Sequence, residues 1–205
     1  RAAAEGVLRL AGKWKPEAEK AYRRFSYEVI TAESDPELQK PVIARIKEAA
    51  SVIGIIAELN GSARGACMDR AFFEGFGMKT IFLNDRPGQI VHSIVPEGAS
   101  LDLCREELEK ARRKDPAFIL GYVPDNDGDR GNIVYYNEDS GRAEILEAQE
   151  VFALSVKSEL AFMRLGRPEA RLGVAVNGPT SMRIDRLARE YGAEVFRAEV
   201  GEANV

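Results

Sequence analysis

From Val52 to Glu199 the chain alternates short unbroken apolar runs with longer stretches of helical periodicity, and this alternation restricts the fold more than any other feature. Val52 to Leu59, Thr80 to Leu83, Ala117 to Val123, Leu172 to Val176 and Glu194 to Glu199 read as buried strands, with Asn60-Gly61 ending the first. Between them, Met68 to Phe76 reads as a helix stopped by Gly77. A second helix carries Leu101, Cys104, Leu108 and Ala111 on one face, with Ser100 as its cap. Two more show Phe152, Val156, Leu160 and Met163, then Ile184, Leu187, Ala188 and Tyr191. Asn84 to Ala99, rich in Pro and Gly, reads as a loop, and Ile133–Tyr136 with Ala143–Leu146 as a hairpin around Asn137 to Gly141. Strands that take turns with helices imply an α/β fold, a mostly parallel sheet with helices on both faces. The helix over 148–166 is the best boundary, separating a complete α/β domain (35–147) from the beginning of a second (148–205).

Residues 1–34 are Ala- and charge-rich and suggest one or two helices, the end of a preceding domain or a linker. Ser34-Asp35-Pro36-Glu37 has capping-box spacing, and Pro41 should kink or restart the helix that follows. Arg1 in place of an initiating Met, and a last residue just past a strand-like segment, lead to the expectation of an interior piece of a longer protein.

Net charge is −4, with Lys and Arg dispersed, which argues against a nucleic-acid footprint. No apolar run reaches the roughly 20 residues of a membrane span. Cys67 and Cys104 form no CxxC pair and read as reduced thiols of a cytoplasmic protein.

The chemistry concentrates in Asp125-Asn-Asp127-Gly-Asp129-Arg130, directly beyond a buried strand, where parallel α/β sheets place ligands. Alternating carboxylates converge on one side of a curved segment, and crowded carboxylates repel unless a cation offsets them. A hard divalent cation is the natural partner, and Mg²⁺ suits a site shared with phosphate. Arg130 adds a guanidinium fork that matches phosphate geometry. The competing reading is an Asp/Gly-rich surface turn. An EF-hand is excluded by counting: from Asp125 the sixth position is Arg130 instead of Gly and the twelfth is Tyr136 instead of Glu.

The run Asp125 to Arg130 with Asn132-Ile-Val resembles the metal-binding loop of the α-D-phosphohexomutases, the phosphoglucomutase and phosphomannomutase family. Glu58-Leu-Asn-Gly61 with Ser62 and Gly65, Leu83-Asn-Asp85 with Pro96-Glu97, and Ala198-Glu-Val-Gly201-Glu-Ala-Asn-Val205 resemble further family segments, in family order, over about residues 35 to 205. The resemblance implies the second domain and the start of the third of an enzyme interconverting hexose 1-phosphate and hexose 6-phosphate. It implies a phosphoserine enzyme and a hexose bisphosphate intermediate, Mg²⁺ held by Asp125, Asp127 and Asp129, Arg130 as a catalytic phosphate contact and Gly201 as a sugar contact. The remaining domains of the same enzyme are then its structural partners. The family's Thr-Ala-Ser-His-Asn type motif does not occur in this chain, so the chain alone is expected to be inactive.

Two other classes stay open: a metal-dependent nucleotide-sugar transferase with a D-x-D site, and a non-catalytic cation-binding module. Among weaker signals, Asn60 to Gly65 reads as a structural turn in preference to an anion cradle, and Arg64 and Arg86 read as solvated. His92, the only histidine, is weighed as a general base against a surface or hydrogen-bonded residue.

Overall fold

The computed structural model describes residues 2–201, with side chains from Glu5 onward. It separates into two compact units, Arg1–Ile145 and Leu146–Val205.

The first unit opens with helix α1 (Ala2–Thr31), a single helix that contains Pro16, followed by α2 (Pro36–Ala50). The cap of α2 is Asp35, one residue beyond the expected Ser34. Pro36 occupies the first helical position and forces the preceding residue into the extended region, where the Asp35 carboxylate accepts from the Glu37 N–H at 2.8 Å. Pro41 neither breaks nor restarts this helix, which runs through to Ala50. The amide that Pro41 lacks would have served only the carbonyl of exposed Glu37 in the first turn, which water can reach.

Strand β1 (Gly54–Glu58) is buried at every position, as a central strand must be. Helix α3 (Asp69–Gly75), strand β2 (Lys79–Leu83), helix α4 (Asp102–Lys114) and strand β3 (Phe118–Pro124) follow, and then the hairpin β4 (Gly131–Asn137) and β5 (Arg142–Ile145). The sheet order is β2-β1-β3-β4-β5. Its first three strands are parallel, and β4 and β5 continue it antiparallel beyond β3. Ser100 is no cap: it is buried in a tight turn, Gly98–Leu101, that feeds straight into α4.

Helix α4 covers one sheet face. Its Cys104, Leu108 and Ala111, with Leu101 just before it, meet Ile56, Val123 and Val134 in a core where most of these residues are fully buried. Gly121 permits the close approach, because a Cβ there would stand 2.5 Å from Cys104 Sγ. On the other face the Phe73 ring of α3 stands edge-on to Tyr122 at 6.4 Å, and Tyr27 of α1 packs behind it on Phe72 and Phe76. Val7, Leu8, Leu10 and Trp14 of α1 stay exposed.

Burial first, then the nearby charge of Glu58, pushes the Cys104 thiol up to about 12, while Cys67 is exposed. Because the thiolate is the reactive form, one thiol per chain should react with a disulfide reagent at pH 8 in the native protein and two after denaturation. Two fast thiols in the native protein would contradict this packing.

The second unit comprises α5 (Ala148–Gly166), β6 (Leu172–Asn177), α6 (Arg183–Glu190) and β7 (Ala193–Ala198), with β6 and β7 parallel in register from Leu172↔Ala193 to Asn177↔Ala198. The Glu150 carboxylate caps α5 by accepting from the Glu147 N–H at 3.1 Å. Val156 and Leu160 of α5, Leu172 and Val176 of β6, and Ile184 of α6 form its core, and Phe152 remains 38% exposed. Among the described residues no helix is long and apolar enough to cross a membrane.

Candidate metal site

Because β4 runs antiparallel to β3, the chain must reverse between Pro124 and its partner Gly131, and Asp125 to Arg130 make that reversal. The Asp125 N–H donates to the Arg130 carbonyl at 3.0 Å and closes the base of the loop. The Asp125 carboxylate folds inward, only 2% exposed. Its Oδ1 accepts from the N–H groups of Gly128 and Arg130, both at 3.1 Å, and its Oδ2 from Arg130 Nε at 2.8 Å. Gly128 has φ +81°, which an L side chain would strain.

Asp127 and Asp129 are exposed, and one carboxylate oxygen from each of the three Asp lies within 4.8 Å of the others. Burial works against the charge of Asp125, but the backbone and guanidinium donors of Arg130 outweigh it and hold its carboxyl below the ordinary value. Asp129 moves the other way. Its hydrogen bond to Asp125 and the neighbouring charges, Asp127's among them, raise its carboxyl and favour the protonated form. Arg130, with its side chain 64% exposed, spans both acids, at 2.8 Å from Asp125 and 3.7 Å from Asp129.

The donor set fits a hard divalent cation: three convergent carboxylates whose mutual repulsion a cation would relieve. Asn126 Oδ1 in the same loop is buried without a hydrogen-bond partner among the described residues, a further oxygen of the right hardness. Gly201 lies in the second unit, just beyond β7, where its N–H donates to Asn177 Oδ1 at 3.3 Å. Residues 202–205 of the proposed glycine loop lie outside the described residues.

Two groups look different in three dimensions. Arg64 is only partly solvated, its side chain 26% exposed: its Nε and Nη2 donate to Asp69 Oδ2 and Oδ1 at 2.9 and 2.7 Å, and the Asp69 side chain is 4% exposed. Burial disfavours the guanidinium charge, yet the Asp69 carboxylate raises its pKa above the ordinary value. Arg86 is exposed, as expected.

His92 is hydrogen-bonded to Glu58, a carboxylate at the end of β1 with no solvent exposure. Glu58 Oε1 accepts from the Asn60 N–H at 3.0 Å and Asn84 Nδ2 at 2.8 Å, and His92 Nε2 meets Oε2 at 2.7 Å. Asn60 completes the cluster: its Oδ1 accepts from the N–H of Val91 and of His92, and its Nδ2 donates to the His92 and Ser93 carbonyls. The available signal was Glu58 itself, a charge inside an apolar run, since a fully buried carboxylate requires partners.

No family model and no curated protein matches the chain in sequence. Solved structures match it in fold. A phosphoglucomutase/phosphomannomutase family protein from Burkholderia thailandensis aligns over 80% of this chain and 33% of its own, with a TM-score of 0.59 and 16% identity. A putative phosphomannomutase from Thermus thermophilus aligns over 79% of this chain and 35% of its own, at 0.52 and 19%. The chain thus spans about a third of the length of these proteins and shares the fold of that part.

Proposed function

We propose that this chain is the part of a phosphohexomutase that carries its metal loop, in an enzyme interconverting hexose 1-phosphate and hexose 6-phosphate through a phosphoserine and a hexose bisphosphate. The observation that carries the reading is the gathering of Asp125, Asp127 and Asp129 beside Arg130 at the end of β3, within a fold shared with phosphomannomutase-type structures. Mg²⁺ held by the three carboxylates would neutralise the charge of a phosphoryl group in transit. Asp125 orients the loop from within, since both of its oxygens are already engaged. Asp127 and Asp129 are exposed, each with a carboxylate oxygen within 4.8 Å of the other's and of Asp125's. Arg130 is fixed through its Nε, which leaves the guanidinium tips for a phosphate. Gly201 is the proposed sugar contact in the second unit. The nucleophilic serine and the clamp for the second phosphate belong, on this reading, to other domains.

The test assays hexose 1-phosphate conversion with a trace of the bisphosphate, in the complete enzyme and in this chain alone. The complete enzyme should turn over and this chain should not, because in-line positioning of the nucleophile cannot come from a metal loop. In the complete enzyme Asp127→Asn should lower kcat by roughly 100-fold with little change in KM, since the cation matters most as charge moves in the transition state. Turnover by this chain alone, or a fully active Asp127→Asn enzyme, would overturn the reading. Stabilisation by a nucleotide-sugar and not by hexose phosphates would point to a transferase instead.

A further inference from the structure

We propose that Arg64 is a positioning residue for the Asp125–Arg130 loop, its aliphatic stem serving as the floor on which Gly128 turns and Asp69 holding that stem in place. The inference rests on the reading of the loop as a cation site.

Gly128 lies between two groups. Above it, its N–H reaches Asp125 Oδ1 at 3.1 Å. Below it, a Cβ built on Gly128 would stand 2.4 Å from Arg64 Cδ and 2.7 Å from Cγ, so the stem already fills the space a side chain would need. The stem cannot swing freely, because the guanidinium is held at two points by the buried Asp69 carboxylate. That restraint matters because the stem borders a cavity of about 290 Å³, lined also by Tyr22, Met68, Phe73 and Tyr122, into which an untethered side chain would turn. The adjoining backbone adds a second attachment: the Ala63 N–H donates to the Asn126 carbonyl at 2.8 Å, and Ser62 Oγ accepts from the Arg64 N–H at 3.2 Å. Helix α1 reaches the same point through Tyr22, whose hydroxyl is 3.5 Å from Arg64 NH1. Three carboxylates that repel one another can bind a cation tightly only if something other than the cation keeps them together, and a fixed floor does that.

The experiment uses the full chain with Arg64→Ala, Arg64→Lys, Gly128→Ala and the Arg64→Ala/Gly128→Ala double variant. Three quantities are read: hydrogen exchange of the Gly128 and Arg130 amides without metal, Mn²⁺ affinity from paramagnetic line broadening, and the urea midpoint. Arg64→Ala should speed exchange at both amides and weaken Mn²⁺ binding by about tenfold, the scale for a residue that orients a metal ligand. Arg64→Lys keeps the stem but can hold Asp69 at one point only, so its losses should fall between those of the parent and of Arg64→Ala. Gly128→Ala should be at least as damaging as Arg64→Ala. The double variant should lose less than the product of the two, because truncating Arg64 removes the clash. If Arg64→Ala fails to fold because Asp69 is left unpaired, Arg64→Ala/Asp69→Asn replaces it. A lowered urea midpoint with exchange and Mn²⁺ affinity unchanged, or a fully multiplicative double variant, would overturn the proposal. A parent that binds no Mn²⁺ would remove the cation reading alone, since the exchange rates and the double-variant cycle still decide the role of Arg64.

Discussion

Asp125→Ala is expected to abolish divalent-cation binding and to loosen the hexapeptide loop even without metal, whereas Asp127→Asn should weaken binding and leave the metal-free protein intact. Asp125 accepts three hydrogen bonds inside the loop, and a bond to a charged acceptor contributes about 1.5–3 kcal/mol. Water can reach the exposed Arg130 donors once the carboxylate is gone, so the net loss should be about 2–4 kcal/mol in urea unfolding. Mn²⁺ affinity should fall by roughly 100-fold or more, because a ligand and the loop's organising group disappear together.

Asp127→Asn keeps an oxygen donor and removes one of the charges that push the Asp129 carboxyl up, so metal-free stability should hold or rise slightly while affinity drops about tenfold. Acidification should show the same asymmetry. The Asp125 carboxyl is depressed, so its contribution is present above the ordinary carboxylate range and is lost as pH falls through its lowered value. The Asp129 carboxyl is raised, so its contribution to the metal-free loop is present below that range and lost as pH rises through its raised value. Cation binding, which displaces that proton, should strengthen over the same interval. Equal urea midpoints for Asp125→Ala and Asp127→Asn would show that Asp125 does not organise the loop.

The second large effect is expected at Glu58. Glu58→Ala should cost about 3–5 kcal/mol and release the loop from Asn84 to Pro96, because it strands the Asn60 N–H, the Asn84 amide and His92 in a buried place. Glu58→Gln should be far milder. The two ring nitrogens of His92 lie 2.7 Å from Glu58 Oε2 and 2.8 Å from the Ser93 carbonyl. With Gln at position 58, neutral His92 can keep its Nδ1–H on Ser93 and accept the new amide at Nε2. The checks are urea unfolding and hydrogen exchange at Val91 and His92, whose N–H groups bond Asn60 Oδ1. If Glu58→Ala and Glu58→Gln destabilise alike, the network does not hold the loop in this way.

What the linear chain determined was local. Apolar runs of strand length, helical repeats such as Leu101-Cys104-Leu108-Ala111, and Asp and Gly packed behind a strand each signal through neighbours a few residues apart. From these the α/β architecture, the hairpin after Arg130 and the crowding of three carboxylates could be read. The cap of α2 shifted by one residue because Pro36 outranks the capping-box pattern, which is still a local effect.

Only the tertiary structure decided the partners. Glu58 and His92 are 34 residues apart and meet because the loop after β2 folds back over the end of β1. Arg64 lies under Gly128 because β1 and β3 are adjacent in the sheet although α3, β2 and α4 intervene in sequence. Read alone, Arg64 is one more cation near glycines. Burial beside Asp69 gives it a fixed direction, since desolvation makes a charge costly unless an opposite charge meets it. The same holds for the three acids. Their spacing placed them in one loop, but only the folded chain buries Asp125 against Arg130 and two backbone N–H groups while Asp127 and Asp129 stay exposed beside it.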